Sequence, residues 1–79
     1  MRLDKYLKVS RLIKRRTVAR EACDAGRVIV NGRVAKAGAN IKEGDTIEIE
    51  FGTRKTKVEV LSVAETVRKD EAKELYRYI

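Results

Sequence analysis

The chain has no histidine, no proline, a single cysteine and no long apolar run among its 79 residues. Without histidine, the commonest general base and the usual zinc ligand are both missing. Cys23 has no partner for an internal disulfide, and an isolated thiol fits a reducing cytoplasm better than an export route. No apolar stretch approaches the roughly 20 residues that cross a bilayer, and the opening MRLDKYLK is too charged for a signal peptide. Neither a repeat, a low-complexity tract nor a phosphate loop of the form G-x-x-x-x-G-K-S/T occurs. Glu48 and Glu50 share a strand face but lack an electrophilic partner group. These absences predict a small soluble intracellular protein without cofactor or metal, whose function is binding and not catalysis.

What is present is positive charge, unevenly placed. Residues 1–36 hold eleven Lys/Arg against three Asp/Glu, a net of +8; residues 37–79 hold eight against nine, a net of −1. The whole excess of the +7 chain therefore sits in its first half. Evenly mixed charge would keep a small protein soluble equally well. Charge segregated in this way is the footprint of a polyanion partner.

Seventy-nine residues make one domain, near the lower limit for folding without disulfides or metal. Leu3, Tyr6 and Leu7 follow helical spacing, which predicts a helix near residues 3–9 with Ser10 as its cap or break. Asp4 suits the first turn of that helix and is placed to pair with a nearby arginine. Thr17 reads as the N-cap of a second helix, with Val18, Ala22 and Ala25 on one face and Gly26 as a left-handed stop. Ala19 and Cys23 widen that face with small side chains, so Cys23 reads as a buried structural thiol. Lys14, Arg15 and Arg16 stand where the second helix begins. Cations are unfavourable beside a helix N-terminus unless an anion is bound there, so this local conflict points to a phosphate.

Val28–Val30, the turn Asn31-Gly32 and a return strand from Arg33 to Ala35 predict a tight hairpin. Ile47, Ile49 and Phe51 alternate with Glu48 and Glu50 in a further strand, and Gly52-Thr53 turns it into a partner ending near Val63. The acidic outward face of that strand is expected to repel phosphate and confine a nucleic acid to the other side. Thr66 is placed to cap a last packing helix, with Ala72, Leu75, Tyr76 and Ile79 on one face. In that segment Arg68, Lys69 and Arg77 are the positions from which a contact would extend.

Two helices beside a basic surface also suit a helix-turn-helix DNA reader. The second helix, however, offers only Arg20 with small or apolar neighbours, and the cations gather at the turn and hairpin. That distribution suits a folded RNA recognised by shape and backbone. The segments RLDKYL, SRLIKRRTVAREACDAGRVIVNGRVAKAG and GDTIEI resemble the S4-type RNA-binding domain. The family's pattern is R-L-D-x-x-L, a basic helix start, G-x-V-x-V-N-G and a later G-D. Residues 1–51 carry the resemblance, and its specificity lies in the ordered combination. It implies an α+β module of two N-terminal helices packed on a small antiparallel sheet with a C-terminal helix. The S4-type domain is expected over 1–63 and a helical tail over 64–79.

Within the family, the chain is similar to the small stand-alone proteins that bind the bacterial large ribosomal subunit, with no catalytic domain attached. MRLDKYLKVSRLIKRRTVA is the specific stretch, and the likeness extends through FGTRKTKVEV. It implies a cytoplasmic, ribosome-associated monomer that binds 23S rRNA of obstructed large subunits carrying P-site peptidyl-tRNA. There it supports alanine-tail elongation of stalled chains with the tailing factor RqcH. By the same resemblance Arg2 and Arg16 lead the rRNA contacts, with Arg11, Lys14, Arg15 and Arg20 around them and Asp4 as a brace. Lys5, Arg27, Asn31 and Arg33 complete the candidate RNA-binding set. A DNA-binding regulator, an adaptor for an acidic protein, and a general subunit-assembly factor use the same charge; only the resemblance selects quality control among the ribosomal roles.

Overall fold

A computed structural model describes all residues, 1–79. Helix α1 runs over Leu3–Val9 and α2 over Arg16–Asp24; strands β1 (Val28–Val30), β2 (Arg33–Val34), β3 (Thr46–Phe51) and β4 (Arg54–Val60) follow. A 3-10 helix over Lys69–Leu75 leads into the last strand, β5 (Tyr76–Tyr78). The five strands form one antiparallel sheet in the order β2-β1-β3-β4-β5. The helices supply Leu3, Tyr6, Leu7, Ala19, Ala22 and Cys23 to a single core, and the sheet supplies Val28, Ile47, Ile49, Val58 and Val60. This is the expected α+β arrangement of helices packed on an antiparallel sheet.

The first helix has the expected bounds, and Ser10 is its C-cap. The hairpin is also as read: Asn31 and Gly32 both have positive φ, 51° and 83°, as a two-residue turn of the strand-matching hand requires. Gly26 at φ 75° ends α2 in the left-handed region, one residue after the cap Ala25. The N-terminal residues add a feature that the spacing did not suggest. Leu3 and Asp4 donate backbone N–H groups to the carbonyls of Ala39 and Ala37, and Ile41 donates to Met1. The loop after β2 thus fastens the start of α1.

Three expectations about element bounds and type are corrected. Thr17 is not the cap: α2 begins at Arg16, and the cap position is Arg15, extended and without a side-chain cap bond. Tertiary pairing of Arg16 with Asp4 places that residue inside the helix and outweighs the capping preference of threonine. Strand β4 ends at Val60, short of Val63, because the backbone turns there to meet the tail through Leu61 N–H and the Leu75 carbonyl. The tail is not an α-helix carrying Tyr76 and Ile79 on one face. Ala72 and Leu75 are buried at the i, i+3 spacing that a 3-10 helix stacks, and Tyr76–Tyr78 pair with the open edge of β4. Strand pairing satisfies backbone groups that a frayed helix end would leave exposed.

The outward face of β3 is not acidic overall. Glu48 stands opposite Lys57, Glu50 opposite Lys55, and Glu59 of β4 opposite Arg77 of β5. Lys55 and Arg77 lie within ion-pair distance of Glu50 and Glu59, at 3.6 and 2.6 Å. Cross-strand pairing balances the charge of the face, which is not the acidic surface its β3 residues alone suggested.

Candidate nucleic-acid interface

The site begins at a buried carboxylate. Asp4 has no solvent exposure, yet it lies in the first turn of α1 between two arginines whose side chains are about half exposed. Arg2 Nε donates to Asp4 Oδ1 at 3.1 Å and a terminal guanidinium nitrogen of Arg2 donates to Oδ2 at 3.3 Å. Arg16 Nε donates to the same Oδ2 at 3.4 Å, and the backbone N–H of Lys5 donates to Oδ1 at 2.8 Å. Burial alone pushes the Asp4 carboxyl up. The hydrogen bonds from Arg2, Arg16 and the Lys5 N–H outweigh it and hold the group below the usual aspartate value of 3.8. The hydrogen bond and charge of Asp4 raise the Arg2 pKa in return.

This geometry turns two flexible side chains into a fixed pair. Each guanidinium spends part of its donor set on Asp4 and presents the remainder outward. Arg2 also lies over the backbone of Gly38, whose α-carbon, were it given a β-carbon, would bring that atom 3.8 Å from the guanidinium. Beside the pair, the first turn of α2 carries no acidic residue and no side-chain cap, and Lys14, Arg15 and Arg16 stand at this uncapped start. Arg20 follows Arg16 by one turn, on the same side of α2. Free N–H groups, a helix dipole and clamped guanidiniums together match a phosphate.

The other candidate residues divide. Arg11 and Lys14 line a groove at the far end of α1, described further below. Lys5 is ion-paired with Glu65 of the tail, a residue that lines the same groove. Asn31 is exposed, but its side chain is engaged in intramolecular bonds: its amide donates to Asp45 at 3.1 Å and its carbonyl accepts from the Thr46 N–H at 3.0 Å. It shapes the hairpin and ties it to β3. Arg33 is exposed on the edge strand β2, while Arg27 lies near Val18, Glu21 and Phe51, toward the opposite end of α2 from Arg16. Lys8 was missed, although its position four residues after Asp4 and three before Arg11 was a readable signal.

Cys23 is buried on the face of α2 that meets the core, and burial, with the nearby carboxylates of Asp4 and Asp24, pushes its thiol up to about 11. A thiol held protonated is a packing group, not a nucleophile. No group of three or more Cys, Asp or Glu side chains is placed to hold a metal ion, and no helix is long and apolar enough to cross a membrane.

The fold and the braced arginines define a small helix-on-sheet domain built to present cations in fixed positions. The chain belongs to the S4 domain family, whose pattern matches residues 1–47. It is 63% identical over 76 residues to the RQC P-site tRNA stabilizing factor of Halalkalibacterium halodurans, an alignment covering 96% of this chain and 86% of that one. The factor of the same name from Listeria monocytogenes is 52% identical over 79 residues, covering all of this chain and 86% of its own. Among solved structures, heat shock protein 15 of Vibrio cholerae superposes with a TM-score of 0.92 at 31% identity, covering all of this chain and 81% of that protein. The chain is an RNA-binding factor related to these proteins.

Proposed function

We propose that the chain is a non-catalytic factor of ribosome-associated quality control. It binds 23S rRNA on large ribosomal subunits that still carry P-site peptidyl-tRNA, in the cytoplasm, and it supports alanine tailing of the stalled chain by RqcH. The observation that carries the binding site is the Asp4 brace, which fixes Arg2 and Arg16 side by side next to the uncapped start of α2. The choice of ribosomal role is supported by the relatives, several of which are RQC P-site tRNA stabilizing factors.

The mechanism is positional. Guanidinium groups and helix N–H groups hold phosphates in a fixed pattern, and a folded RNA whose backbone matches that pattern is selected over a uniform duplex. The test is a competition between folded large-subunit rRNA fragments and duplex DNA for the labelled protein. The expected result is displacement by the RNA alone, with Arg16→Ala weakening RNA binding by about 1–3 kcal/mol through loss of a charge-assisted contact. Equal displacement by duplex DNA would contradict the reading and favour a DNA-binding regulator.

A further inference from the structure

A second cationic site lies along α1 from the Asp4 brace. Lys8 follows Asp4 by four residues and shares its side of the helix; Arg11 comes just after the helix, and Lys14 returns from the turn that leads into α2. The tail crosses opposite them, and Glu65, Thr66 and Lys69 close a shallow groove. Four cations thus face one carboxylate. Glu65 is already bonded to Lys5, whose hydrogen bond and charge hold it below the usual glutamate range. Lys8, Arg11, Lys14 and Lys69 take part in none of the ion pairs of the molecule.

Like charges gathered around a concavity repel one another until a counter-ion enters. Arg11 adds an independent sign. Its φ of 63° lies in the left-handed region, where every residue with a β-carbon is disfavoured relative to glycine. The turn accepts that strain and keeps a cation at its apex, which points to a use for the side chain. The groove is shallow and mainly polar, with Val9 and Val67 its apolar members, so it lacks the walls that would enclose a base or a small organic ligand.

We propose that this groove is a second backbone-phosphate site, in which Lys8, Arg11, Lys14 and Lys69 hold a phosphate of the same RNA that the Arg2–Arg16 pair engages. The Thr66 hydroxyl supplies a neutral donor. The inference rests on the RNA-binding reading above and makes the tail part of the interface.

Purified bacterial large ribosomal subunits are the probe, with affinity measured across a salt series. Lys69→Glu is expected to weaken binding about fivefold or more and to lower the slope of log K against log salt by about one, as loss of one phosphate contact does. Lys73→Glu makes the same charge change on the same 3-10 helix outside the groove, and is expected to leave the slope unchanged. Arg11→Gly, which relaxes the backbone, is expected to weaken binding while retaining the melting temperature of the parent. Wild-type affinity and slope in Lys69→Glu, or equal losses in Lys69→Glu and Lys73→Glu, would overturn the groove. Loss with Arg16→Glu alone removes the groove and leaves the first clamp; loss with Lys69→Glu alone removes the clamp and leaves the groove. Absence of binding by the parent protein overturns both.

Discussion

Asp4 shows how one buried charge organises exposed ones. A lone buried carboxylate is strongly unfavourable, so its three donors are needed for folding as well as for the interface. Asp4→Asn keeps the shape, removes the charge that Arg2 and Arg16 share, and is expected to cost about 1–3 kcal/mol in urea unfolding. Because the folded-state pKa is depressed, this contribution is fully present above the usual aspartate value of 3.8 and is lost as pH falls through the still lower folded value. The parent is therefore expected to lose stability relative to Asp4→Asn only on acidification below about pH 4, measured as the difference between their urea midpoints. A difference independent of pH would show that the carboxylate contributes packing and not charge. The sequence allowed this pairing, since an aspartate in a first turn beside a cluster of bases has few other partners. It did not reveal which arginines were chosen: Arg2 is two residues away, but Arg16 reaches Asp4 only after the turn at Arg11 folds the chain back.

At the level of elements, local chemistry was legible and long-range pairing was not. The bounds of α1, the Asn31-Gly32 turn and the Gly26 stop all follow from residues within a few positions of one another. The start of α2, the end of β4 and the strand at Tyr76–Tyr78 depend on contacts with distant segments. Tyr6 illustrates the difference. Its spacing announced a buried helix face, but its hydroxyl donates to the Leu75 carbonyl at 2.6 Å across 69 residues, and burial pushes its pKa up. Tyr6→Phe removes that bond while keeping the ring. The Leu75 carbonyl retains the N–H groups of Leu61 and Ser62, so the expected cost is only about 1 kcal/mol by thermal or urea unfolding. Faster amide exchange is expected to be confined to the tail. A loss of several kcal/mol, or exchange raised throughout the sheet, would show that the tail is integral to the fold and not an element docked on it.

Over the whole molecule, charge segregation survives folding in an altered form. The first-half excess becomes two adjacent features on and beside α1, the Asp4-braced pair and the groove closed by the tail. The outer face of the sheet is balanced by cross-strand pairs. In the proposed reading, the concentration of cations at the helices directs RNA there, and repulsion from β3 is not needed. Counting charge along the chain found the half that matters. It could not place Lys69 in the groove with Lys8, Arg11 and Lys14, nor show that Lys5 and Asn31 are engaged by Glu65, Asp45 and Thr46, which lie far along the chain.

The most direct test of the central claim is sedimentation of the tagged protein with large subunits carrying peptidyl-tRNA, alongside vacant large subunits, at physiological salt. The expected result is comigration with the tRNA-bearing subunits, lost in Arg16→Glu while its circular dichroism remains that of the parent. Comigration of Arg16→Glu at the parental level, or a parent protein that stays in the ribosome-free fractions, would contradict the account.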